Sequence, residues 1–127
     1  MITSVELQKA IFQSLSTDYS VFEVVPVANS FPYITVGEFS NTENFTKTDI
    51  GRFTYHVMLH GWSVGTSSLK AKVIEDYIYK KMKALKVNGF NVEIVNLTMS
   101  QMLKEQQTDK TTIFHSIQEF EIVINNK

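Results

Sequence analysis

The stretch Arg52–Trp62, RFTYHVMLHGW, decides how the rest of the chain is read. It places two histidines four apart, His56 and His60, beside the only tryptophan. On a helix that spacing puts both imidazoles on one face, the arrangement of a helical zinc site. The odd positions, however, are Phe53, Tyr55, Val57 and Leu59, all apolar or aromatic, whereas the even positions are mixed. That is a period of two, in residue types that favour extended backbone. The stretch is predicted to be a strand. Its histidines then share a side but stand about 13 Å apart at about 3.3 Å per residue. One zinc cannot easily be held by both, because each nitrogen must lie about 2.0–2.1 Å from it.

Working outward, SVGTSS (63–68) supplies a turn and a helix cap, with Ser63 read as turn chemistry. Leu69, Val73, Ile74, Tyr77, Ile78, Met82 and Leu85 then mark one face of a helix over 67–85, whose lysine-rich second half suits the negative end of the helix dipole. Asn88-Gly89 ends it. Residues 90–99 and 111–125 are predicted strands, joined by a polar tip over 100–110 that carries Met102 and Leu103. Together they form a long C-terminal hairpin. Upstream, Thr3-Ser4-Val5-Glu6 reads as a capping box for an amphipathic helix over 4–16. VFEVV (21–25) is a short strand, and YITVGEF (33–39) is a strand whose Gly37 permits a bulge or close approach. SNTENFTKTD (40–49) is a polar loop or hairpin tip holding Phe45 and Lys47.

The order helix, strands, helix, strands predicts an α+β fold: a mostly antiparallel sheet with two helices on one face. A length of 127 residues argues for a single domain over 1–127. Apolar residues at 43% and charged residues at 20% are ordinary globular composition. A net charge of −1 shows none of the basic excess that phosphate neutralisation requires, so no sequence-specific nucleic acid is expected as a partner. With no cysteine, disulfides, thiol nucleophiles and cysteine-ligated metals are excluded. No basic-then-apolar leader opens the sequence and no apolar run approaches the roughly 20 residues of a membrane span, so a soluble protein with no membrane partner is expected.

Catalytic patterns are weak. Gly61, Ser63 and Gly65 spell G-x-S-x-G, but a nucleophile elbow needs an α/β-hydrolase sheet that this chain is too short to hold. Glu75-Asp76 is placed on a solvated helix face, and Glu119 and Glu121 share one strand face. His115 could meet one of the other histidines across the sheet, leaving a His-His-carboxylate site formally open. The reading is of no enzyme, no cofactor and no metal.

Three segments carry a resemblance. LQKAIFQSLSTDYSVFEVVPVANSFPYITVGE (7–38), GRFTYHVMLHGWS (51–63) and SLKAKVIEDYIYKKMKAL (68–85) resemble, in order and spacing, the small tail completion or tail terminator proteins of long-tailed bacteriophages and prophages. Pro32-Tyr33 and Trp62-Ser63 are the landmarks. Gly61 before the tryptophan departs from the pattern, and the 41–49 loop has no residue-by-residue match. The resemblance implies a structural protein that forms a ring, typically a hexamer, on the head-proximal end of the tail tube. Its implied partners are copies of itself in the ring, with a monomeric state in isolation left open, the major tail tube protein and the head–tail connector, with DNA passing through the ring. The implied location is the virion's head–tail junction, after synthesis in the bacterial host cytoplasm. Candidate assembly contacts are Phe45, Lys47, Arg52, His56, His60, Trp62, Met102 and Leu103. The competing expectations are a small α+β module holding a ligand or peptide on its sheet, and a metal-dependent enzyme using the histidines.

Overall fold

The computed structural model describes residues 3–26, 30–44, 51–106 and 111–126. In chain order they form α1 (Thr3–Leu15), β1 (Ser20–Phe22), β2 (Tyr33–Asn44), β3 (Arg52–Gly65), α2 (Leu69–Lys83), β4 (Phe90–Gln106) and β5 (Thr112–Asn126). The five strands make one sheet in the order β1-β2-β3-β5-β4. Only β1 and β2 run parallel; every other neighbouring pair is antiparallel. The α+β expectation, two helices over a mostly antiparallel sheet, is met.

The period of two in β3 sets the layers. Tyr55, Val57 and Leu59 are buried, and so are Phe120, Ile122 and Ile124 of β5 on the same side. Leu7, Ile11 and Leu15 of α1 and Ile74, Ile78 and Met82 of α2 close over them in one core cluster. Apolar side chains thus leave water from both layers at once, the main favourable term in folding. The helices are also tied to each other. Tyr77 Oη donates to the Leu15 carbonyl at 2.7 Å, and its ring meets Tyr19 edge-on at 4.8 Å. Ser4 Oγ and Tyr55 Oη, 3.0 Å apart, pin the start of α1 to the sheet.

Gly61 accounts for how closely α2 approaches. A Cβ built on it would lie 2.6 Å from Ile74 Cγ2 and 2.6 Å from Ser116 Oγ. Only a glycine leaves that space. The glycine before Trp62 is therefore a packing feature of this chain.

Several boundaries differ from expectation, for physical reasons. β1 is three residues rather than five, because only Tyr33–Thr35 of β2 pairs with it. Val24 and Val25 lie beyond that ladder and are exposed; β-branched residues alone do not make a strand. β2 and β4 each run several residues past their expected ends, as does β3, which passes Trp62 to reach Gly65. Polar residues can extend a strand where one sheet face meets water, so polarity was a poor stop signal. Met102 and Leu103 consequently lie within β4, not on a tip, and Ser63 is a buried strand residue, not a turn. α1 includes Thr3, which had been expected to cap it from outside. Glu75 is half-buried rather than solvated, and burial raises its carboxyl pKa first, with Asp76 adding to the rise while Lys72 and a Ser100 hydrogen bond oppose it.

Candidate functional site

The helices cover one face of the sheet and leave the other open. Arg52, Thr54, His56, Met58, His60 and Trp62 of β3 face that open side, since their neighbours in the alternation are the core residues. Strand register carries the pattern sideways. Tyr33 of β2 stands opposite Trp62, Trp62 opposite His115 of β5, and His115 opposite Leu103 of β4. These four side chains form a row across the sheet. In the next row, Thr35 pairs with His60 and His60 with Ile117.

The rings of the first row are stacked. Trp62 lies 3.7 Å from His115 between centroids at 12°, and Tyr33 lies 6.1 Å from Trp62 at 18°. Phe31, just before β2, and Phe22 of β1 continue the group at 5.3 Å and 6.1 Å from Tyr33. Trp62 Nε1 donates to Thr35 Oγ1 at 3.0 Å, fixing the indole in the row.

The histidines fall into two settings. His60 Nδ1 and His115 Nε2 are 2.6 Å apart, so one ring donates and the other accepts. Gly37 makes room for this pair: a Cβ there would come 2.6 Å from His60 Nε2. The strand is also irregular at that point, with the register shifting between Val36 and Phe39, so both expected uses of the glycine are present. His115 is 9% exposed, and burial first, then the neighbouring His60, push its pKa down to about 4. Burial also lowers His60, opposed by the charge of Glu38. Both rings are therefore neutral near pH 7. His56, by contrast, faces Glu121 at 3.8 Å on the more open part of the face.

The strand reading of 52–62 separates His56 from His60 as expected, and it is His115 that reaches His60. Two nitrogens sharing a hydrogen bond leave no ion between them, and no group of three or more metal-binding side chains occurs among the described residues. G-x-S-x-G runs inside β3, an antiparallel strand, so no strand-to-helix elbow presents Ser63.

Of the expected assembly contacts, Arg52, His56, His60, Trp62 and Leu103 share the open face. Met102 does not: it stands opposite Ser116 on the helix-facing side. Phe45 and Lys47 lie outside the described residues. Arg52 is held by Glu93, whose carboxylate accepts from its Nε at 3.2 Å and also from Asn125 Nδ2. Tyr33, Thr35 and His115 belong to the site although none is among the expected assembly contacts; the expectation that His115 meets another histidine across the sheet is met at His60. The parity of Trp62 and His60 on β3 was visible, but the β3–β5 register that brings His115 beside them was not.

Two hollows lie along the helices among the described residues. A hollow of about 600 Å³ is lined by Glu6, Lys9, Gln13 and the 86–89 segment, and one of about 450 Å³ by Val5, Phe12 and Glu23.

Comparison with solved structures gives full-length likenesses. A chain from the virion of a native gene transfer agent particle superposes with a TM-score of 0.73 at 13% identity, over 96% of this chain and 98% of that one. The gp17 protein of bacteriophage SPP1 superposes with a TM-score of 0.62 at 26% identity, over 99% of this chain and 94% of that one. No family model and no curated protein matches the sequence. The first likeness shows the fold; the second extends to sequence and is to a bacteriophage protein.

Proposed function

We propose that this chain is a tail completion protein of a long-tailed phage or prophage. Copies assemble into a ring, six by the family's habit, on the head-proximal end of the tail tube. The ring stops tube growth and offers its other surface to the head–tail connector, with DNA passing through the centre. The protein is made in the host cytoplasm and ends at the head–tail junction of the virion. No step of this role is catalytic.

The observation that carries the proposal is the open sheet face. A two-layer domain with aromatic side chains aligned across its uncovered face has a surface suited to association rather than to water. Its rings are locked by stacking and by the Trp62–Thr35 hydrogen bond, so little side-chain freedom remains to be lost on docking. The full-length likeness to SPP1 gp17 supports the same reading. A ligand pocket on this face is the weaker alternative, because the hollows named above lie along the helices instead.

The 45–50 segment is proposed to contact the tube or a neighbouring copy, through Phe45 and Lys47. Residues 41–44 belong to the β2 ladder, so a deletion that includes them would damage the fold. Replacing 45–49 with a glycine-serine linker of equal length is the sound test. Phage carrying the replacement should make filled heads and separate tails that fail to join. Normal joining would refute the segment's role.

A further inference from the structure

The two outer surfaces of the domain carry opposite charge. Between residues 69 and 86, on α2 and just after it, there are six lysines and two acidic residues. The open sheet face carries Glu38, Glu93, Glu105, Glu119 and Glu121 against Arg52, as the register and the Glu93 and Glu38 interactions place them. Each surface also exposes apolar side chains. On α2, Leu69 and Val73, one turn apart, are 68% and 52% exposed and border a hollow of about 200 Å³ with Tyr19 and Pro32. On the sheet, Leu103 is exposed within the aromatic row, and Ile94 is exposed toward the opposite end of the face, level with Thr54.

We propose that the occupant of the open sheet face is the α2 surface of a second copy of this chain. The contact is head-to-tail. Either surface facing its own kind would set like charges together, which is unfavourable, whereas the acidic sheet against the basic helix is complementary. A contact between two different surfaces repeats from copy to copy and closes into a ring when the rotation allows. The inference rests on the ring reading above and goes beyond it by assigning both halves of the subunit contact.

Two double variants test it: Glu119→Lys with Glu121→Lys, and Lys72→Glu with Lys80→Glu, each checked for native-like circular dichroism and thermal unfolding. Native mass spectrometry and light scattering report assembly of the full chain up to millimolar concentration. Each variant alone should associate at least about tenfold more weakly than the wild type. An equimolar mixture should recover assembly, because in alternating order every contact regains opposite charges. Wild-type assembly should weaken with added salt, which reads the same charges without any substitution. Assembly by the wild type and by both variants alike would overturn the surface assignment and leave the ring standing. Loss only in the glutamate variant would show that the sheet face meets something other than the lysines of α2 and overturn the head-to-tail contact. A wild type that stays monomeric throughout would overturn the contact itself.

Discussion

His60 and His115, 55 residues apart in sequence, form one unit, with Nδ1 of the first 2.6 Å from Nε2 of the second. The bridge holds a single proton, and a second one there would set two N–H groups against each other. Burial disfavours charge on both rings, and the groups facing them are Glu38 from β2, Met58 and Trp62 from β3, Ile117 from β5, and Leu103 from β4.

This unit makes stability depend on pH. His115 falls from 6.5 in an open chain to about 4 when folded, so the unfolded chain binds the proton more readily. Its contribution is full above pH 6.5 and is lost as pH falls toward about 4. Urea unfolding across that window should show a loss of stability that is reduced in His115→Phe, which keeps a ring against Trp62 but cannot titrate. Parallel curves for the two proteins would contradict the buried neutral pair.

Gly37→Ala should disturb the same unit from the other side. Its Cβ would meet His60 Nε2 at 2.6 Å, forcing the imidazole to move. The side-chain nitrogen resonances of both histidines should then titrate closer to the ordinary histidine value. Unchanged titration curves would show that the ring has room the geometry does not reveal.

Gly61→Ala tests the seat of α2. An alanine in place of glycine within a strand ordinarily helps or does little. Here the added methyl would overlap Ile74 and Ser116, so a destabilisation of about 1–3 kcal/mol is expected. A neutral or stabilised variant in urea unfolding would mean that α2 does not rest on β3 at this point.

Tyr55→Phe removes the hydroxyl that meets Ser4 Oγ at 3.0 Å while keeping the buried ring. A cost of about 0.5–1.5 kcal/mol is expected, with faster hydrogen exchange in the first turn of α1. Unaltered exchange there would remove this contact as an anchor for the helix.

The sequence revealed the fold where one face alternates with the other. RFTYHVMLHGW showed its period of two, and the apolar stripe of α2 showed its period of 3.6, so layer order and fold class followed. Strand ends were less legible. Residues 40–44 are polar and 100–106 are polar apart from Met102 and Leu103, yet both lie in ladders, because an antiparallel pair with an open face needs no continuous apolar alternation there. Leu103 stayed with the predicted surface while Met102 left it, since extended backbone sends neighbours to opposite sides. His115 was seen as a possible partner for another histidine. Which one it meets depends on a register set by long-range pairing, which neither residue encodes locally.

The proposed role, ending tail-tube growth, is read out by tube length. Major tail protein polymerised around its length-setting core should be imaged by electron microscopy with and without this chain. With the chain, tubes should have one narrow length and a ring of density at a single end. Tubes of the same broad length distribution in both samples, with no added density at either end, would contradict the account.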